Sequence, residues 1–324
     1  MGAKILDSLC LTDQADYIDV MHAILKHRGW MTCSRAMLSG MTVSSFRFTV
    51  HRRLTAESTT AYNWMAEHFL AADFVGITAS QAAGFQFEPT FPLYQKQAIS
   101  DIKRSIDRGI GAVIWKDQFV IVVGYDDERK LLYYADGTSP TNGTLPYIEW
   151  GRNRSPYWYY QVFEERLAMD ELAIYRESLL QAIYKWETHD LMLPESDYAC
   201  GRAGYDAMAD AMHSSEYDGN GVCEIIRYYA SAKKDIYEYT TVLQKIWPEL
   251  KSAVEAYDEL AQIFETMVEM TLSIDATQKF AAPQVRTMIH LLMNAKQKEE
   301  TAIEQIKILV RETINNRFND IGLR

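Results

Sequence analysis

The sequence lacks any long uninterrupted apolar segment. No run approaches the roughly 18 residues that a membrane-spanning helix requires, and no basic stretch followed by an apolar stretch opens the chain as in a secretory signal. Hydrophobic residues make up 48% of the chain and aromatic residues 12%, which is typical of folded globular proteins and not of disordered ones. We therefore expect a soluble, cytoplasmic protein.

Cysteine is scarce as well, and the four cysteines stand singly, without the CxxC spacing or the density of a disulfide scaffold: Cys10, Cys33, Cys200 and Cys223. The metal motif HExxH and the phosphate-binding motifs GxxxxGK[ST] and GxGxxG are missing. His22 and His27 are five residues apart, whereas two ligands on one helix face are four apart. The sequence predicts no metal and no cofactor.

Acidic residues clearly outnumber basic ones only in the second half of the chain. Residues 1–164 carry 16 basic and 17 acidic side chains, whereas residues 165–324 carry 17 basic and 27 acidic ones, so the net charge of −11 belongs almost wholly to the second half. Such a surface repels nucleic acid and anionic membranes, and we predict neither as a partner.

The sequence of the first half predicts helices followed by a sheet. Gln95 to Asp107 has the apolar spacing of an amphipathic helix, and residues 112–115 and 119–123 are apolar runs too short for helices. The second run has no alternation, which predicts a central strand covered on both faces. After a polar turn, residues 131–135 return antiparallel. Alternation from Ser45 to Val50 predicts a further strand, and the Gly76 region and residues 85–93 are predicted to be irregular.

The second half has helical periodicity throughout. Apolar residues recur at steps of three and four from Ile236 to Met267, with Pro248 expected to start a new helix or to kink a long one. A last helix is predicted from Pro283 to Arg311. We therefore predict two domains, residues 1–164 and residues 165–324, the second an all-helical bundle whose Met, Tyr and Leu stripes form a core or a homodimer surface.

Several motifs together resemble one known group of proteins. The strand that ends in Trp115, the sequence Val-Gly-Tyr-Asp-Asp at residues 123–127 and the Asp136 of the returning strand are similar to the papain-like peptidase domains of bacteriocin exporters and to the butirosin-biosynthesis acyltransferase family. Residues 40–47 and 201–206 resemble the second group. The resemblance implies an α+β protein, with a papain-like N-terminal domain built on an antiparallel sheet and a helical C-terminal bundle.

The same resemblance implies a chemistry, from which this chain departs. The butirosin-type enzymes move an acyl group from a carrier protein to an amine, with a cysteine at the start of an N-terminal helix and a histidine and a carboxylate from the later sheet. Here Asp16-Tyr17-Ile18-Asp19 stands at the expected cysteine position, and Asp117-Gln118 at the expected histidine position. Only Asp136 matches in type.

Cys33 is the best remaining nucleophile. It precedes a short helix predicted from Ser34, a setting that lowers a thiol pKa, and His22, His27 and His51 are candidate partners. A buried structural thiol explains the same residue equally simply. If the protein is an enzyme, Cys33 and Asp136 are the predicted catalytic residues of an acyltransferase or of a cysteine enzyme that makes or cleaves amide bonds.

Other side chains are predicted to line the cleft. Arg47 lies between two phenylalanines and should meet a carboxylate of the protein or of a ligand, while His51 opens a basic trio suited to an anionic group or to a solvated turn. The remaining candidates are residues that the resemblance places at the cleft: Tyr17, Thr42, Trp115, Gln118 and Tyr125.

Two functions of the first domain follow as hypotheses, and a third hypothesis is that the acidic helical bundle is the working part and the first domain a scaffold. In the first, the protein belongs to bacterial specialised metabolism and transfers or handles an acyl or peptidyl group that a carrier protein or a small molecule delivers. In the second, it is a degenerate, non-catalytic member that keeps the cleft to bind a ligand or partner.

Overall fold

The computed structural model describes residues 2–11, 16–272 and 279–312. The chain divides into two compact units, the first made of Met1–Leu38 and Met65–Ala168 and the second of Ser39–Trp64 and Met169–Arg324. The predicted division after residue 164 differs from this one mainly in residues 39–64, which belong to the second unit. A sequence segment inside the first half therefore contributes to the helical half.

The secondary structure runs as follows in chain order. The strands are β1 (Ala3–Ile5), β2 (Thr49–His51), β3 (Ile77–Phe85), β4 (Ala112–Trp115), β5 (Phe119–Asp126), β6 (Leu131–Ala135), β7 (Gly143–Pro146), β8 (Tyr157–Arg166) and β9 (Tyr198–Cys200). The α-helices are α1 (Tyr17–His27), α2 (Arg35–Met41), α3 (Trp64–Phe74), α4 (Phe91–Asp107), α5 (Glu171–Glu187), α6 (Arg202–Ser214), α7 (Gly219–Gln244), α8 (Lys251–Leu272) and α9 (Ala282–Glu312).

The first unit is built on an antiparallel sheet of seven strands in the order β3-β8-β4-β5-β6-β7, with β1 paired to β5. Every residue of β5 is buried, as its unbroken apolar run predicted. Alternate residues of β8 face opposite sides of the sheet. Tyr160 bonds to Asp101 of α4, whereas Gln161 bonds to Tyr17 of α1. Helices α1 and α4 therefore cover opposite faces.

Two local expectations were wrong. The Gly76 region and the start of residues 85–93, predicted to be irregular, include the nine-residue strand β3. The strand expected from Ser45 to Val50 is instead a 3-10 helix, Ser44–Phe46, followed by the short strand β2. Val43 has a φ of 65°, and this left-handed residue starts the tight turn that replaces the extended strand.

The second unit is helical around a buried aromatic core. Phe48, which belongs to residues 39–64, has its ring centroid 4.4 Å from that of Tyr205 and 4.5 Å from that of Tyr229. Pro248 begins a 3-10 turn that separates α7 from α8, so the predicted break at this proline is confirmed. Across the described helices, none is both long enough and apolar enough to cross a membrane.

A buried ion pair lies in the same core. Lys233 Nζ donates to both carboxylate oxygens of Glu299 at 2.7 and 2.8 Å, and the Tyr205 hydroxyl donates to the same carboxylate. The Lys233 ammonium also lies 4.9 Å from the ring centroid of Phe48. Burial lowers the pKa of Lys233. The neighbouring Glu299 carboxylate acts to raise it, but burial has the larger effect.

Candidate functional site

Tyr17 occupies the first residue of α1, where the resemblance places a cysteine. Asp16 caps the helix: its carboxylate accepts the Asp19 N–H at 3.0 Å, and its own N–H donates to the Asp19 carboxylate at 3.0 Å. Arg35 holds both carboxylates, through Asp16 at 3.0 Å and Asp19 at 2.8 Å. The helix start is thereby fixed, and Tyr17 with it.

The Tyr17 ring is buried in an aromatic cluster. It stacks on the imidazole of His68 in α3, with ring centroids 3.4 Å apart and an interplanar angle of 3°. Phe119, the first residue of β5, meets both rings edge-on, at 5.8 Å from Tyr17 and 5.1 Å from His68. Only 3% of Tyr17 and 1% of His68 is exposed, so the aromatic cluster fills this part of the unit.

A neutral hydrogen-bond network lies beneath these rings. The Tyr17 hydroxyl donates to the side-chain oxygen of Gln161 at 2.8 Å, and the Gln161 amide donates to the His68 carbonyl at 3.1 Å and to Gln81 at 3.0 Å. Tyr159 also donates to Gln81, at 3.0 Å. The network ties α1 and α3 to β3 and β8, and it uses Gln161 as both acceptor and donor.

Burial raises the pKa of Tyr17 well above its usual range, and the bond to Gln161 only partly offsets this effect. The phenol therefore stays protonated at neutral pH. A protonated, buried phenol with its hydroxyl engaged is a poor nucleophile. The arrangement is suited to holding structure and not to forming a covalent intermediate at Tyr17.

Three more candidates lie at the same end of the sheet and are partly exposed. Trp115 packs edge-on against Phe119, with centroids 5.0 Å apart, and its indole N–H donates to Ser155 Oγ at 2.9 Å. The Gln118 amide donates to the main-chain carbonyl of Asp136 at 3.4 Å. The structure thus brings Tyr17, Trp115, Gln118 and Asp136 into one region.

The Asp136 carboxylate is held by its own loop. It accepts the Thr138 N–H at 2.9 Å and the Thr138 hydroxyl at 2.8 Å. Burial acts to raise the pKa of Asp136, but these bonds and the nearby Lys116 outweigh it, so the pKa lies below its usual value. Asp136 is an anion at neutral pH.

Tyr125 lies at the other end of β5 from Phe119. Its hydroxyl donates to Asp107 at 2.8 Å, which raises the pKa of Tyr125 to about 12. It borders a groove of about 390 Å³ lined chiefly by α4, including Lys96 and Lys103. Lys103 is bound to Asp127 at 2.6 Å. The structure therefore separates Tyr125 from Trp115 and Gln118, with which the sequence grouped it.

Cys33 is half-buried one residue ahead of Ser34, whose hydroxyl accepts the Met37 N–H at 3.2 Å at the start of α2. The His22 Nε2 lies 2.9 Å from the main-chain carbonyl of Cys33, so this contact engages the backbone of the cysteine. His27 Nε2 lies 2.9 Å from the Asp7 carbonyl. The nucleophile role of Cys33 stays a prediction.

The other three candidates belong to the second unit. Thr42 is buried, and its hydroxyl lies 3.4 Å from the Ser39 carbonyl. Arg47 stacks its guanidinium 3.5 Å from the ring centroid of Tyr62 and donates to the Tyr228 hydroxyl at 3.0 Å. His51 Nδ1 accepts the main-chain N–H of residue 53 at 3.0 Å, which orders the basic turn.

Sequence reasoning missed His68, Gln81 and Gln161. His68 lies in α3 among mostly apolar residues, and Gln161 is a lone amide within the apolar run of β8. A polar residue in a buried run must find partners, and that requirement is the signal that could have found Gln161. Gln81 lies in a strand that was itself not predicted.

No family model matches the chain, and a search of the curated proteins finds no match either. Among the residues that the structure describes, no three His, Cys, Asp or Glu side chains converge as a metal ion would require.

Proposed function

We propose that this protein is a degenerate relative of the butirosin-type acyltransferases, which binds an acyl or peptidyl group in a papain-like cleft without forming a covalent intermediate. The observation that carries the proposal is the buried Tyr17, stacked on His68 at the start of α1. The helix start that would activate a thiol instead holds a protonated phenol. The group would be delivered by a carrier protein or a small molecule.

The ligand chemistry comes from the partly exposed residues beside the cluster. Trp115 offers an apolar ring whose N–H is fixed on Ser155, and Gln118 offers an amide that can bond to a carbonyl or an N–H of the ligand. Asp136 adds an anion that can accept an N–H. An aromatic face with two polar groups suits an uncharged acyl or peptidyl chain.

A mass experiment separates this proposal from acyl transfer. The protein and its Cys33→Ser variant are incubated with acyl thioesters of N-acetylcysteamine, and intact masses are recorded. We expect no acyl adduct on either protein. An adduct on the wild type that is lost in Cys33→Ser would overturn the proposal and establish the cysteine mechanism, with Cys33 as nucleophile.

A binding experiment tests the other part of the proposal, that the protein binds an acyl or peptidyl group. Titration with the same thioesters and with short uncharged peptides should quench tryptophan fluorescence saturably, and Trp115→Phe should remove the signal while Trp247→Phe, in the second unit, should keep it. Gln118→Ala should weaken binding about tenfold, the effect of one lost hydrogen bond. Absence of saturable binding by every ligand class would also sink the proposal.

A further inference from the structure

The two outer strands of the sheet in the first unit differ in length and composition. Strand β7 has four residues and ends at Pro146, which has no N–H to offer a further strand. Strand β3 has nine residues and, among the strands that the structure describes, pairs along one side only, with β8. The β3 strand is therefore the long open edge of this sheet.

The sequence of the open edge lacks the residues that usually prevent pairing. Residues 77–85 include no charged side chain and no proline, and Thr78, Ser80, Ala83 and Phe85 are exposed. Soluble proteins normally block such an edge with lysine, proline, a bulge in mid-edge or a covering element, because its free N–H and C=O groups recruit another strand. The irregularity of β3 lies at its first residues, between Ile77 and Ala79.

Large apolar side chains are exposed at both ends of this edge. At one end Phe85 and Phe87 stack with centroids 5.1 Å apart and are 40% and 68% exposed. At the other end Leu167, 68% exposed, follows β8 and donates its N–H to the Gly76 carbonyl at 2.7 Å, so it lies near this end of β3 but on the side of β8 and not on the open edge itself. The middle of the edge is small and neutral, and the ends are apolar.

We propose that β3 is the interface with a second copy of this chain, paired antiparallel about a twofold axis at Gln81. In this register Ser80 of one copy faces Ala82 of the other, and Phe85 faces Ile77. The apolar end with Phe87 then meets the end of the other copy that carries Leu167. A twofold interface must match itself in this way, and the neutral middle desolvates no charge.

The contact is limited in size. A nine-residue strand is about 30 Å long, so the ladder and the two apolar ends make a contact at the small end of specific interfaces. We therefore expect a reversible dimer that dissociates on dilution. The proposal places the dimer in the first unit, whereas the sequence pointed to the helical half. It does not depend on the proposed ligand.

Sedimentation velocity of the full chain from about 1 to about 300 µM should show a dimer fraction that rises with concentration, as a contact of this size predicts. Ser80→Lys with Ala82→Lys sets like charges opposite each other across the axis and should shift dissociation at least tenfold towards monomer. Ser80→Lys with Ala82→Glu sets opposite charges there and should keep the dimer. Thr144→Lys on β7 is the control and should change nothing.

Each result of the sedimentation experiments either supports or overturns the proposed dimer. A wild type that stays monomeric over the range overturns the proposal, as does a dimer that survives the paired lysines, which would locate the contact elsewhere. Loss of the dimer in the Lys/Glu variant would contradict the register about Gln81. The chain has a net charge of −11, so added lysines reduce overall repulsion and cannot separate the copies through net charge. Circular dichroism checks that each variant is folded.

Discussion

Two buried polar sites, one in each unit, are built in opposite ways. Around Tyr17, the first unit buries a network of uncharged groups. Phenols and glutamine amides form hydrogen bonds to one another and to a backbone carbonyl. The second unit buries a full ion pair, Lys233 with Glu299, whose side chains are 0% and 3% exposed. Removing one member of a neutral network leaves an unsatisfied dipole, which costs less than the stranded charge that a broken ion pair leaves. The contrast predicts very different responses to substitution.

The largest effect is expected at the ion pair. Glu299→Ala strands the Lys233 ammonium in the core and should lower the free energy of unfolding by about 3–5 kcal/mol. Urea denaturation followed by far-UV circular dichroism at pH 7 measures it. If this variant is insoluble, Lys233→Met serves as the single change.

The matched control removes both charges. Lys233→Met with Glu299→Gln keeps an acceptor for the Tyr205 hydroxyl, bonded to this carboxylate in the wild type. This double variant should recover most of the free energy of unfolding that Glu299→Ala loses, because no charge is left unpaired in the core. If the double variant is as unstable as the single one, packing and not charge explains the effect, and the comparison between the units fails.

A smaller effect is expected in the neutral network. Tyr17→Phe keeps the stack on His68 but removes the donor to Gln161, which should cost about 1–3 kcal/mol of unfolding free energy. Tyr94→Phe, at a tyrosine that is 47% exposed, is the control and should be neutral. Thermal and urea unfolding measure both. A loss at Tyr17 as large as that of Glu299→Ala would show that the two networks do not differ in kind.

Sequence patterns predicted the elements that have a local signal. The unbroken apolar run of β5 was recognised because burial on both faces removes alternation, and the break between α7 and α8 was recognised because proline cannot continue a helix. The α+β class, with its antiparallel sheet in the first half and helices in the second, is likewise confirmed.

The missed features depend on contacts distant in sequence. Strand β3 has three alanines, one serine and one glycine among its nine residues, so it shows no clear alternation of apolar and polar side chains. Phe48 assigns its segment to the helical unit only by packing on Tyr205 and Tyr229, more than 150 residues away. The stack of Tyr17 on His68 is also nonlocal, although the two residues are closer in sequence. The periodicity of a single segment does not reveal contacts between residues that are distant in sequence.

The smallest effect is expected at Asp117, beside Trp115 in the first unit, where a charge is only partly buried. Burial raises its pKa, but the N–H groups of Arg154 and Ser155, donating at 3.1 and 3.0 Å, lower it more, so the net pKa is below its usual value. The carboxylate therefore stabilises the fold above the ordinary aspartate pKa, and this contribution is lost as the pH falls below about 4. Asp117→Asn should cost about 1 kcal/mol at pH 7, and the difference from the wild type should shrink at pH 3.5. Thermal unfolding at the two pH values measures this, with the exposed Glu128→Gln as control. A difference that stays constant with pH would mean that shape and not charge holds this loop, and the contrast with the charged core of the second unit would then be sharper still.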